Sequence, residues 1–186
     1  MTNCLPAFYS IVGHRAVLTG GIAWQFIRWD KVIHRVKSIQ SRIVKAVQAN
    51  RWNKVKVLQG ILSHSYAAKL LAIRRITENS GKRTAGIDGQ LWDTPRAKME
   101  AVNKLKTHGY KAAPVRRIKI PKSNGKWRPL GIPTMLDRAM QALFLLTLDP
   151  ISECTADPNS YGFRPFRSTH DCIDTALDYL NEGNSY

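Results

Sequence analysis

Residues 118–133 read IKIPKSNGKWRPLGIP, and this stretch decides what kind of fold the chain can adopt. Two short apolar, β-prone runs, Ile118 to Ile120 and Leu130 to Ile132, flank a loop carrying Lys122, Lys126 and Arg128. Asn124-Gly125 at its centre supplies the positive φ values of a tight hairpin turn, so two antiparallel strands are predicted, with Trp127 to Ile132 as the return arm. On the way in, Val115 to Ile120 alternates apolar and basic side chains but slips by one at Arg117, which predicts a bulge or a strong twist. A loop needs only to be polar, yet this one is cationic on both arms. Lys122 offers a mobile point charge and Arg128 a planar fork that can hold a phosphate through two hydrogen bonds. On opposite arms of a stiff ribbon they can close on one anion from two sides. The competing explanation is a solvated hairpin whose charges discourage edge-to-edge aggregation.

Around the hairpin the apolar period lengthens to that of helices. Val32, Val36, Ile39, Ile43 and Val47 predict an amphipathic helix whose outer face carries Lys31, Arg35, Lys37, Arg42 and Lys45. Asn50 interrupts it. A second helix is predicted from about Trp52 through Leu58, Leu62, Tyr66, Leu70 and Ile73 to near Thr77, forming a basic helical hairpin with the first. Residues 78–89, ENSGKRTAGIDG, are a loop by composition. Thr94-Pro95 opens a helix reaching about Lys106, and Gly109 ends it. After the strands, Thr134 caps a helix with Asp137 three residues on. Met140, Leu143, Phe144 and Leu148 form its expected apolar face, and Pro150 is expected to stop it. Residues 154–165 are irregular. Ser168 or Thr169 caps a last helix with Ile173, Ala176, Leu177 and Leu180 inward, ended by Gly183. Residues 1–22 show no clear period.

Charge narrows the partner class. The 186 residues carry a formal net charge of +16, far beyond what solubility requires, which points to a polyanion. Its distribution is uneven. Between Asp30 and Glu78 lie eleven Lys and Arg and no acid, whereas from Asp137 onward eight acids face Arg138, Arg164 and Arg167 alone. Three widely spaced cysteines, Cys4, Cys154 and Cys172, argue against a disulfide framework and a zinc site. No apolar run reaches the length of a membrane span, and the start is a poor secretory signal. The expected compartment is therefore cytoplasmic in a bacterium, or organellar, and not secretory.

Residues 121–151, PKSNGKWRPLGIPTMLDRAMQALFLLTLDPI, followed by residues 158–180, PNSYGFRPFRSTHDCIDTALDYL, resemble the fingers region of group II intron reverse transcriptases, also called maturases. Residues 65–89 resemble the family's N-terminal extension, and residues 52–65, WNKVKVLQGILSHS, its preceding basic helix. The resemblance implies an α+β fold: a basic N-terminal helical hairpin, then an incomplete fingers subdomain with a β-hairpin and packed helices. It implies an unassigned segment over 1–22, the extension over 23–90, and fingers over 91–186, stopping before the palm.

By the same resemblance, Lys122 and Arg128 contact the phosphates of the incoming nucleotide. Arg164 and Arg167 lie near the template and primer groove, and Lys82 and Arg83 touch template or intron RNA. Arg116, Arg117 and Lys119 join them as RNA contacts. Phe166 departs from the pattern, which has glycine or another small or polar residue there. A structural role for Arg164, tying the irregular loop to backbone carbonyls, is the alternative. Relatives hold their catalytic metal with an aspartate just beyond this sequence and an Asp-Asp pair further on. No Asp-Asp pair occurs in these 186 residues. Asp171, Asp174 and Asp178 share a helical face that reads as solvated. The expectation is thus a chain with no catalytic or metal residue of its own and Mg2+ only in the full-length enzyme. Expected partners are intron and template RNA, a DNA primer, and a palm region or a protein that carries one. The other reading is an RNA-binding splicing module with no polymerase role.

Overall fold

A computed structural model describes residues 24–181; the expectations for residues 1–22 and for Gly183 lie outside them. Helix α1, Trp29–Gln48, buries Val36, Ile39, Ile43, Ala46 and Val47, the stripe its period predicts. It ends at Asn50, whose φ of 53° is a left-handed conformation that asparagine tolerates. There the Asn50 N–H donates to the Val47 carbonyl at 2.8 Å and the Arg51 N–H to Ala46 at 2.9 Å, the paired bonds of a Schellman cap.

The expected second helix is two. Helix α2, Trp52–His64, stops at Ser65, whose ψ of 130° is extended, and α3, Tyr66–Glu78, starts there. At the break the Ser65 N–H donates to the Leu62 carbonyl at 3.0 Å, while the Ser63 hydroxyl bonds the Gly60 carbonyl at 3.0 Å and His64 Nδ1 lies 2.8 Å from the same oxygen. A short 3-10 turn, Ser80–Arg83, comes next. Helix α4, Pro95–Lys104, is capped by Thr94, which accepts from the Ala97 N–H at 3.2 Å.

Strands β1, Arg116–Pro121, and β2, Trp127–Ile132, pair antiparallel, one residue to one, from Arg116↔Ile132 to Pro121↔Trp127. No bulge occurs at Arg117. The turn also differs from the expectation of positive φ at both Asn124 and Gly125. Lys122 N–H donates to the Lys126 carbonyl at 2.7 Å and Gly125 N–H to Lys122 at 3.1 Å, with a positive φ at Gly125 alone. This is a three-residue loop in which glycine takes the left-handed position.

Helix α5, Met135–Thr155, is the centre of the core, packing against α1, α2 and α3. It buries Met135, Ala139, Met140, Ala142 and Leu143, while Phe144 and Leu148 are exposed, contrary to expectation. Pro150 does not stop it. A proline in a helix leaves the carbonyl four residues back without a donor, and here the Gln40 amide supplies one to Leu146 at 2.8 Å. Gln59 donates similarly to Thr147 at 3.3 Å. Helix α6, Thr169–Asn181, has no buried residue, so Ile173, Leu177 and Leu180 form an exposed stripe rather than an inward one. Among the described residues no helix is long and apolar enough to cross a membrane.

Candidate nucleic-acid and nucleotide interface

The pleat sorts the hairpin's cations between two faces, because residues two apart share a side. Arg128 pairs with Ile120, and Lys122 lies two residues beyond Ile120. Lys122 and Arg128 are therefore diagonal neighbours on one face, with Cβ atoms at roughly 7 Å by sheet geometry. Lys126, opposite Lys122 across the loop, joins them, and the sequence reading did not place it in the site. Arg116 belongs to the same face nearer its base, whereas Arg117 and Lys119 occupy the other with Trp127. Ile132 is the only buried residue of the two strands, so the ribbon projects from the helical body. Among the described residues none of these cations has a carboxylate partner.

Asp137 on α5 holds the segment that leads into β1. Asp137, only 3% exposed, accepts from the Thr134 hydroxyl at 2.7 Å, the Tyr110 hydroxyl and the Ala113 N–H at 3.4 Å. Burial opposes the charge of Asp137, but these donors outweigh it and hold its carboxyl below the usual carboxylate range. Burial, reinforced by Asp137, pushes the Tyr110 phenol up to about 12.

Lys82 and Arg83 stand on the 3-10 turn, which α5 holds from below. The Arg138 guanidinium donates to the Gly81 carbonyl at 2.9 Å and to that of Thr84. Three residues beyond Arg83, Gly86 presses on the α5 cap: a Cβ there would sit 2.5 Å from Thr134 Cα and 2.9 Å from the Pro133 oxygen. Only glycine fits so close a backbone approach. Neither role is visible in local sequence, since the partners lie some fifty residues apart in the chain.

Arg164 is spent inside the protein. Its Nε and one terminal nitrogen grip Glu153 at 3.0 and 2.7 Å, and the other bonds the Asp157 and Ser160 carbonyls at 2.8 and 3.0 Å. It thus ties the irregular loop to the end of α5. Arg167 donates to Pro158 at 2.8 Å and lies 5.8 Å from the Tyr161 ring centroid. The Tyr161 hydroxyl reaches Thr175 at 2.7 Å. Between them Phe163 and Phe166 are fully exposed, each with φ of 60°. Among the described residues no group of His, Cys, Asp or Glu side chains is arranged to hold a metal ion.

Two family profiles match the chain. One, the N-terminal domain of reverse transcriptase, covers residues 24–105, and the other, reverse transcriptase (RNA-dependent DNA polymerase), covers residues 120–186. Protein YkfC of Escherichia coli (strain K12) is 43% identical over 114 residues, 58% of this chain and 30% of its own length. The group II intron-encoded protein LtrA of Lactococcus lactis subsp. cremoris is 36% identical over 108 residues, 56% of this chain and 18% of its own. Maturase-like protein 1 of Euglena gracilis is 27% identical over 144 residues, 76% and 31%. The chain spans less than a third of the length of each of these relatives. With one profile on the basic helices and the other on the cationic hairpin and the helices after it, the chain belongs to the reverse transcriptase family, and a group II intron-encoded protein and a maturase-like protein are among its relatives.

Proposed function

We propose that this chain binds intron or template RNA along its basic helices and loop, and grips the phosphates of an incoming nucleotide with its hairpin. The observation that carries the reading is the register, which sets Lys122 and Arg128 diagonally on one face with Lys126 beside them and, among the described residues, no carboxylate to neutralise them. Three donors on one stiff ribbon suit a triphosphate. Arg117 and Lys119, on the reverse face, are free to meet a strand at the same time. Arg167 keeps partial exposure for a template contact, while Arg164 acts by holding the loop that presents it.

Polymerisation is phosphoryl transfer that depends on Mg2+. The carboxylates, and with them turnover, belong to a palm region outside these residues, which also receives the DNA primer. The site of action is the bacterial cytoplasm or an organelle, where intron RNA is made.

A second reading, a splicing module that only binds RNA, draws on the acid-free run from Lys31 to Thr77. Equilibrium binding of a deoxynucleoside triphosphate and of an oligouridine to the chain separates the two. Replacing Lys122 and Arg128 together by Ala removes two charge-assisted contacts, so nucleotide affinity should fall by about tenfold or more while RNA affinity moves by less than about twofold. If RNA affinity falls and nucleotide binding is unchanged, the hairpin is an RNA contact and the splicing module is the better reading.

A further inference from the structure

We infer that the groove between the first half of α1 and the junction of α2 with α3 docks an acidic amphipathic helix of a partner protein. The groove holds about 560 Å³. Ile39, Ala67 and Leu70, all buried, form its floor, and Ile27, Val32 and Ile61 its apolar walls. Ile61 and Tyr66 are 48% and 56% exposed, so part of this apolar surface lies open to water. Arg28, Lys31 and Arg35 line the same groove and are exposed, and among the described residues no Asp or Glu lines it.

Lys31 and Arg35, four residues apart, share one side of α1. Among the described residues neither has a carboxylate partner, whereas Arg28 is paired with Asp30 at 3.0 Å. Between Asp30 and Glu78 the sequence contains no acid, so the helices that build the groove cannot neutralise it. The Ser65 side chain does not cap α3, which leaves the positive end of that helix at the same opening. His64 is occupied: its Nδ1 lies 2.8 Å from the Gly60 carbonyl and its Nε2 2.9 Å from the Thr107 hydroxyl. A phosphate backbone needs charge and water, and an apolar floor gives it neither. A helix with Leu, Ile or Phe along one face and carboxylates beside them satisfies both parts of the groove. Its apolar stripe covers the floor while its carboxylates reach Lys31 and Arg35, which is helix-in-groove recognition. Residues 29–39 of α1 extend about 15 Å, the length of a partner helix of about ten to fourteen residues.

Docking of this kind needs neither nucleotide nor RNA, so a chain that bound neither would still be open to it. The probe is a fluorescein-labelled synthetic helix of about fourteen residues, with Leu along one face and Glu on both flanks. Its anisotropy is read against the full chain at about 100 and 500 mM KCl. The parent should bind it in the micromolar range and ignore two controls, the same helix with Lys for Glu and the same helix with Ser for Leu. Ile61→Ser should weaken binding about fivefold or more at both salt concentrations, the loss of one apolar anchor. Lys31→Gln with Arg35→Gln should weaken it by a similar factor at low salt and by much less at high salt. Lys31→Arg with Arg35→Lys keeps the charge and should bind like the parent. Tyr66→Ser takes the place of Ile61→Ser if the latter melts below the parent. Oligouridine affinity should not respond to Ile61→Ser. Failure of the parent to bind the Glu helix, equal binding of the Lys helix, or variants that change nothing would overturn the proposal. If Ile61→Ser weakens oligouridine and spares the Glu helix, the groove receives an RNA base and the partner helix is wrong.

Discussion

Gln40 on α1 donates its amide to the Leu146 carbonyl of α5 at 2.8 Å, and Leu146 is the acceptor that Pro150, four residues later, cannot serve. A helix that passes through a proline is thus completed by a side chain 106 residues distant in sequence. Gln40→Leu strands that carbonyl and should destabilise the chain by about 1–3 kcal/mol. Pro150→Ala returns a backbone donor, so the same Gln40→Leu change should cost much less in that background. Urea unfolding of the four proteins measures the coupling. Equal costs in both backgrounds would show that Gln40 does not act through Leu146.

The left-handed phenylalanines offer a second case. Phe166 has φ of 60° with a side chain wholly in solvent, so its conformation is strained and its ring buries nothing. That strain is about 1–2 kcal/mol for a residue with a Cβ. Glycine relieves it but gains roughly 0.5–1 kcal/mol of freedom in the unfolded chain. Phe166→Gly should therefore stabilise by a net of roughly half a kcal/mol, seen as a raised thermal midpoint. A lowered midpoint would mean that the ring has a partner in solution.

These two positions mark what the sequence could and could not disclose. Caps at Asn50, Thr94 and Thr134 are local chemistry, and all were legible because donor and acceptor lie within a few residues. The hairpin and its strands were legible for the same reason, although only Gly125 of the Asn-Gly pair took a positive φ. The break at Ser65 was hidden because an unbroken apolar period ran across it. Pro150 misled because the compensating Gln40 belongs to another helix. Phe144, Leu148 and the α6 stripe obey helical periodicity, but periodicity says only that a face is apolar, not that anything covers it. Lys82 and Arg83 were named through the family resemblance. That Arg138 and Gly86 hold their turn emerges only from packing.

The Tyr110–Asp137 pair predicts how stability depends on pH. Asp137 titrates lower in the folded than in the unfolded chain, where a carboxyl loses its proton near about 3.9. Its contribution is present above that unfolded value and is lost as pH falls through the lower folded one. Tyr110 is the reverse, raised to about 12. Its contribution is whole below its ordinary value of about 10 and is lost as pH rises from there. Urea midpoints measured against pH should thus hold between the two limits as far as this pair is concerned. Tyr110→Phe should remove the alkaline decline due to the phenol, and Asp137→Asn should flatten the acid limb. An alkaline decline unaltered in Tyr110→Phe would place its origin elsewhere.

Arg164 should behave as a strut rather than a ligand. Its four donor bonds bind the end of α5 to the loop before α6, and its side chain is 8% exposed. Arg164→Lys keeps the charge but has no fork, so it cannot hold Glu153 and two carbonyls together. Hydrogen exchange over residues 157–168 should quicken several-fold in Arg164→Lys, while exchange in α1 to α3 stays as in the parent, because the loss is local. RNA affinity should fall only as far as Arg167 loses its place, and Arg167→Ala in the Arg164→Lys background should add little. If instead the two changes weaken RNA binding independently, with exchange undisturbed by Arg164→Lys, the guanidinium must leave Glu153 to meet the strand directly, and the strut is the wrong description.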